Sequence, residues 1–384
     1  MPNNKQNKIL TMKKITIIPI FLVVVISSSF QLQRENKFKP KRIKSEININ
    51  VETLGLIYYL ADSSILNEGF PGSAHLIRYH LKYFLKFKDH PTVILAKRLI
   101  NEGILEASTT SVFGLFFTDL PEFKQKHKID YSLYNNSEIN ELKNFFKQVQ
   151  KFYIDSKMDV FFNSNQYLYS KIKSEIISTL PDSNYIKTIE QYFGIQMLDY
   201  IIVPSIFIPN YFNFGPQIKT KRGIINYYVL GPAYDIKIDS IIDIKSGVGY
   251  DDKEYIERIG IHEFSHSFVR FMDEEKYVKM IESISFLNTD QLKKNMAKGY
   301  GNNWKIILEE HIVRLIEIRI AKLSGNETIS NQLIDSHINK NGFVYIKEMS
   351  DIITIYEKNR KTYKTFQDFF PILIKKMSEI KLDE

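Results

Sequence analysis

Apolar residues recur along this chain at two spacings, and the change from one to the other marks its organisation. From Thr53 to Phe193 the spacing is that of amphipathic helices. It predicts helices over Thr53–Leu60, Ser73–Phe87, Thr92–Asn101 (opened by Pro91) and Ser183–Phe193, with two long amphipathic helices between Ser137 and Thr179. Ahead of them, Glu46 to Val51 alternates as a half-buried strand does. At Leu198 the pattern changes. Tyr200-Ile201-Ile202-Val203 and Ile206-Phe207-Ile208 are rich in β-branched and aromatic residues, although Pro204 and Pro209 argue against central strand positions because proline has no N–H for the ladder. Ile224–Leu230 reads as a stronger strand, set off by a turn at Lys221-Arg222-Gly223.

Helical spacing resumes at Asp252. Asp251 is the expected N-cap, with Glu254 completing an acidic variant of the capping box, and Ile256, Ile259, Phe264 and Phe268 give this helix its apolar faces as far as Asp273. A more polar segment follows to Lys298. Gly299-Tyr300-Gly301-Asn302-Asn303 reads as a turn, with Asn302 or Asn303 capping a long helix over Trp304–Leu323 that Gly325 terminates. Further helices are expected over Asp351–Lys358 and Phe366–Met377. With no repeat and no low-complexity linker, residues 46–384 read as one α+β domain. Its N-terminal part is helical, and the part from about residue 198 carries a small mixed or antiparallel sheet. No glycine-rich loop joins a strand to a helix, which disfavours a doubly wound nucleotide-binding fold.

Composition alters this picture mainly at the N-terminus. Lys13-Lys14, the apolar run Ile15–Ile26 and Ser27-Ser28-Ser29 make residues 1–30 a signal peptide or N-terminal anchor, followed by a basic polar linker over 31–45. The apolar run is shorter than the roughly 20 residues a spanning helix needs. The body is therefore expected outside the cytoplasm, secreted or periplasmic, with any membrane attachment made only through an uncleaved N-terminal segment. The chain has no cysteine, which excludes disulfides, thiolate nucleophiles and cysteine metal ligands. Much of the net charge of +8 sits at the N-terminus and the rest in scattered lysine-rich helix faces, without a basic block interleaved with stacking aromatics, so no nucleic-acid partner is expected.

The candidate chemistry sits in His262-Glu263-Phe264-Ser265-His266. On a helix, residues four apart share a face, so both imidazoles reach one metal ion, and the glutamate after the first histidine is placed to take a proton from water. Catalytic zinc has three protein ligands and an open position. Glu310, on the Trp304–Leu323 helix, is the preferred third ligand, with Arg314 one turn on as its support and Glu309 and Glu317 as competitors. His311 diverges from Glu310 as any helical neighbour does. Gly260 weakens the helix; close backbone approach by a strand or ligand would rationalise it, and so would simple tolerance of glycine there. Tyr300 and Tyr250 are candidate donors to a developing oxyanion, and Ile224–Leu230 is either an edge for an extended peptide or a buried structural strand.

The motif and the downstream glutamate resemble those of zincin metallopeptidases of the gluzincin kind. The wider chain resembles a bacterial family of secreted metallopeptidase-like proteins carrying a domain of unknown function, through Glu52-Thr53-Leu54-Gly55, His90-Pro91, Ile261–Phe268 and Glu310-His311-Ile312-Val313-Arg314. The resemblance implies a zincin-like fold, Zn²⁺ held by His262, His266 and Glu310, and Glu263 as base in the hydrolysis of a peptide or protein substrate. The chain departs from the well-studied gluzincins in the spacing and surroundings of its downstream glutamate. A second reading is an exported binding or structural protein that keeps an inactive zincin scaffold.

Overall fold

In a computed structural model, residues 41–66, 75–181, 183–234 and 247–382 are described. The expected signal or anchor, most of the basic linker and the start of the helix expected at Ser73 lie outside them.

The N-terminal part is a set of helices: α1 (Ile49–Ala61), α2 (His75–Phe84), α3 (Pro91–Asn101), α4 (Ala107–Phe113), α5 (Asn136–Asp155), α6 (Met158–Ser164), α7 (Gln166–Thr179) and α8 (Ser183–Phe193). The strand expected over Glu46–Val51 is not there. β1 is confined to Lys44–Ser45, and the Asn48 side chain caps α1 by accepting from the N–H groups of Asn50 and Val51, at 3.1 Å each. The alternation misleads because α1 is buried all round, so its polar residues are interior rather than a solvent face. Asn50 shows how such a residue is accommodated. Its amide donates to the Gly114 and Thr118 carbonyls at 3.1 Å each and accepts from the Leu120 N–H at 3.0 Å. Three helices occupy Ser137–Thr179 where two were expected, because the chain breaks at Lys157, in the left-handed region with φ 57°, and again at Asn165.

Four strands follow: β2 (Asp199–Pro204), β3 (Asn213–Phe214), β4 (Gln217–Thr220) and β5 (Gly223–Leu230). β1 and β5 flank β2 in parallel, while β3 and β4 pair antiparallel with the far edge of β5, so the sheet is small and mixed. β2 is thus a central strand despite Pro204. The proline falls at its last position, beyond the reach of β1. Ile206–Ile208 forms no strand, and the Phe207 N–H turns back to the Ser205 hydroxyl. Alternation sorts the two sheet faces. Ile201, Val203, Tyr227 and Val229 pack with Val51 and Leu115, whereas Tyr200, Ile202, Tyr228 and Leu230 join the main core.

The C-terminal part comprises α9 (Lys253–Val269), α10 (Glu275–Glu282), α11 (Asp290–Tyr300), α12 (Trp304–Leu323), α13 (Glu327–Asp335), α14 (Ile346–Lys358) and α15 (Phe366–Met377). Asp252, not Asp251, caps α9 by accepting from the Tyr255 N–H at 2.9 Å. Asp251 instead takes a hydrogen bond from the Tyr234 hydroxyl. Tyr300 ends α11 rather than lying in a turn, and Asn303 caps α12.

Two close contacts fix α9 against its surroundings. Buried Asn226 on β5 donates to the Phe264 carbonyl at 2.9 Å and accepts from the Ser267 hydroxyl at 2.8 Å, which locks the rotation of α9 on the sheet. On another side the Tyr185 hydroxyl, donating to the Glu257 carbonyl at 2.6 Å, lies where a side chain at residue 260 would go. A Cβ there would stand 2.7 Å from it, so the neighbour that Gly260 admits is a side-chain hydroxyl rather than the backbone of a strand. The fold is predominantly helical with one small mixed sheet, and α9 lies between that sheet and α12.

Candidate metal centre

The metal-ligating pattern becomes a site because α9 and α12 cross with their polar stripes facing. His262 and His266 lie one turn apart on α9, with Nε2 atoms 3.3 Å from each other. Glu310 of α12 closes the triangle, Oε2 standing 3.6 Å from His262 Nε2 and Oε1 3.5 Å from His266 Nε2. One ligand atom from each of the three lies within 4.8 Å of the others. Four ligands at about 2.0–2.1 Å around a tetrahedral ion are separated by roughly 3.3–3.4 Å, so the spacing suits an ion at the centre.

The far side of each imidazole decides what the near side can do. His262 Nδ1 faces Glu317 Oε1 at 2.6 Å, and His266 Nδ1 faces Glu309 Oε1 at 2.9 Å. A carboxylate accepts only, so each ring carries a proton on Nδ1, and the neutral imidazole then turns a lone pair on Nε2 toward its neighbour. Two such lone pairs at 3.3 Å make no hydrogen bond with each other; a proton or metal ion shared between them links the two rings. Glu310 Oε2 is likewise buried without a hydrogen-bond partner. The earlier histidine pairs with the later glutamate and the reverse, so α9 and α12 run antiparallel at the crossing. Glu309 and Glu317, expected as competitors for the third ligand position, are the supports that orient the two rings.

Electrostatics point the same way. Burial pushes the Glu317 carboxyl up, but contact with His262 and with His337 outweighs this and holds it well below the usual carboxylate range. Burial and the His266 contact likewise oppose one another at Glu309, with a net lowering. Burial pushes His266 down, yet hydrogen bonding to Glu309 and the charges of Glu310 and Glu263 lift it to about 9. The cluster therefore holds positive charge, as a proton or as a metal ion. Glu263, buried beside it, is raised by loss of solvation against the opposing pull of both histidines.

Residues 44–376 match the family described as a domain of unknown function, DUF4932. The chain belongs to this family. No curated protein and no solved structure matches it. The His262, His266 and Glu310 cluster lies inside the span that defines this DUF4932 member.

A cleft of about 620 Å³ opens over the cluster. Its walls include His262, Glu263, His266 and Glu310, together with Tyr211, Asn213, Tyr255, Tyr300, Arg314 and Asn341. Arg314 Nη2 donates to the Tyr300 hydroxyl oxygen at 2.7 Å, lies 3.6 Å from Glu310 Oε2, and stacks 4.5 Å over the Phe343 ring. The Tyr300 hydroxyl thus accepts from a cation while its own proton stays free to point into the cleft.

Tyr250 is not brought to this cleft. It is fully buried and donates to the Ser205 carbonyl at 2.8 Å, which gives it a packing role rather than the oxyanion contact expected of it. His311 also faces away, donating to the Ile307 carbonyl at 2.7 Å, and burial lowers it to about 4. A smaller, mostly apolar cavity of about 230 Å³ lies along α9 near Tyr185 and Leu333 and touches the centre only through Glu317. Sequence reasoning missed Asn226 and His337. The seven-residue spacing from Glu310 to Glu317, two helical turns, was the available signal for a second carboxylate on the same face.

Proposed function

We propose that the chain is a zinc-dependent peptidase of zincin-like construction, acting on peptides or proteins outside the cytoplasm. The observation that carries this reading is the convergence of His262, His266 and Glu310 beside Glu263 in an open cleft. Two imidazoles, each backed by a carboxylate, with one carboxylate as third ligand, are the donor set of a catalytic zinc site. Zinc held there supplies a Lewis acid that polarises a carbonyl and lowers the pKa of water.

The remaining work falls to the chain's own groups. Glu263, its basicity raised by burial, takes the proton of the attacking water and returns it to the leaving amine. Tyr300 donates its hydroxyl proton to the oxygen on which negative charge grows, and Arg314, hydrogen-bonded to that hydroxyl, stabilises the charge as it develops. Tyr211, Asn213 and Tyr255 line the β3 side of the cleft, where an extended peptide would lie. The apolar run Ile15–Ile26 supports export, and among the described residues no helix is long and apolar enough to cross a membrane.

An inactive scaffold serving only as a binding protein fits less well, because a purely structural zinc site is closed by protein ligands and this cluster borders a cleft. Digestion of a mixed peptide library by zinc-loaded protein separates the two. Cleavage by the wild type and none by Glu263→Gln is expected. A fully zinc-loaded wild type that cleaves no peptide would contradict the peptidase reading.

A further inference from the structure

The segment that follows α13 touches the metal centre from behind at more than one point, and one of its contacts leads directly to a ligand. Ser336–Lys340 forms a π-helical turn, and within it His337 is almost completely buried. His337 Nε2 stands 3.4 Å from Glu317 Oε2. Neither ring nitrogen of His337 has a hydrogen-bond partner, and Glu317 Oε2 has none. Burying an imidazole and a carboxylate oxygen unpaired is costly, and here the two orphaned atoms face each other. A shift of a few tenths of an ångström makes the hydrogen bond. The other oxygen of the same carboxylate already holds His262 at 2.6 Å. Glu317 is therefore bridged by two histidines, one that turns Nε2 toward the cluster and one that does not reach it.

We propose that His337 is a positioning residue of the metal centre. It fixes the Glu317 carboxylate in the orientation that holds His262 for the metal. This rests on the metal-site reading given above. A carboxylate held by one ring alone is free to rotate about its terminal torsion, and the His262 ring turns with it. Held at both oxygens it presents one orientation. Outer partners of metal-ligating histidines act in this way, and their loss costs about 10–100-fold in metal affinity. A second contact comes from just beyond the turn: Phe343 lies under the Arg314 guanidinium at 4.5 Å, so the same stretch of chain also packs against the cleft wall.

Three variants test the proposal in the full chain. His337→Phe keeps an aromatic ring, somewhat larger than the imidazole, and its edge contact with Phe343 but removes both nitrogens. His337→Ala makes the same removal with no steric demand. His337→Gln places an amide N–H near the position of Nε2. Zinc dissociation constants are measured by chelator competition, the visible spectrum of each cobalt(II)-substituted protein is recorded, and the thermal midpoint of each metal-free protein is taken as the packing control. His337→Phe and His337→Ala are expected to weaken zinc binding by about 10–100-fold and to alter the cobalt spectrum, with His337→Gln restoring both to near wild type. Zinc affinity within twofold of wild type and an unchanged cobalt spectrum in Phe and Ala would overturn the proposal. Equal losses in all three, tracking a fall in the metal-free thermal midpoint, would also overturn it by reducing His337 to packing. A wild type that takes up no zinc would instead remove the metal site itself, and that result appears before any variant is compared.

Discussion

Glu52 on α1 and Glu317 on α12 are both buried carboxylates, and their surroundings drive them to opposite charge states. Glu52 accepts one backbone hydrogen bond, from the Ile206 N–H at 3.1 Å, and its other oxygen has no partner; burial raises its carboxyl to about 8. Glu317 is as deeply buried, yet two imidazoles hold it well below the usual range. Loss of solvent alone neutralises a carboxylate, and keeping one charged in the interior takes a partner able to carry positive charge. In the helical N-terminal half Glu52 serves as a neutral tie between α1 and the exit of β2, whereas buried Glu190 of the same half is paired with Lys41. The α9–α12 crossing keeps Glu309 and Glu317 ionised through the imidazoles they hold.

The largest effect is expected at Glu263, which lies beside the charged cluster but is itself raised by burial. Glu263→Gln keeps the ligand set, so zinc content should stay at wild-type level while kcat/KM on a cleaved peptide falls by about 10²–10⁴. Turnover within tenfold of wild type would show that another group is the base. Next in size is the distinction between ligand and support on α12. Chelator competition should show Glu310→Ala weakening zinc binding more than about 100-fold and Glu309→Ala about 10–100-fold. The reverse order would exchange their roles.

Most of the helical layout was legible in spacing and caps. Ser183–Phe193, Trp304–Leu323 and Phe366–Met377 were read with the bounds the structure has, because each begins or ends at a strong signal. The errors fall where burial is complete or where the chain turns on one residue. α1, buried all round, imitates an alternating strand, and Lys157 breaks a helix through a left-handed conformation that lysine's side chain does not announce. The His262 and His266 pair was also legible, because i and i+4 on one helix is a local pattern, whereas Glu310 was a preference among the acids of α12. The supports were legible only as a set of acids. Which imidazole Glu309 and Glu317 would hold depends on the antiparallel crossing of α9 with α12, and the link from His337 to Glu317 depends on a turn that spacing does not predict.

The charge contrast itself is testable through stability. Glu52 has a folded pKa raised from an ordinary 4.5 to about 8, so its contribution is fully present below pH 4.5 and is lost as pH rises through about 8. Glu52→Gln should flatten that loss and be more stable than wild type above pH 8 by an amount on the order of a few kcal/mol, read from denaturant unfolding. Glu317→Gln should do the reverse. Its folded pKa is lowered, so the wild-type carboxylate stabilises the fold at neutral pH, and that advantage shrinks as pH falls below 4.5. Parallel pH profiles for the two variants would contradict the contrast.

The smallest expected effect separates packing around α9 from its chemistry. Gly260→Ala places a methyl group 2.7 Å from the Tyr185 hydroxyl, and this crowding offsets the roughly 1 kcal/mol that alanine adds to a helix. In a Tyr185→Phe background the hydroxyl is gone, and Gly260→Ala should stabilise by about 1 kcal/mol. Additivity between the two substitutions would mean they do not meet.

The central claim, that the α9–α12 crossing holds its imidazoles and acids around a cation, is tested most directly by zinc titration of the purified protein after metal removal. One zinc per chain is expected, bound by the wild type and lost when His262, His266 and Glu310 are replaced together by alanine. Failure of the wild type to bind zinc stoichiometrically after reconstitution, or equal binding by the triple variant, would contradict it.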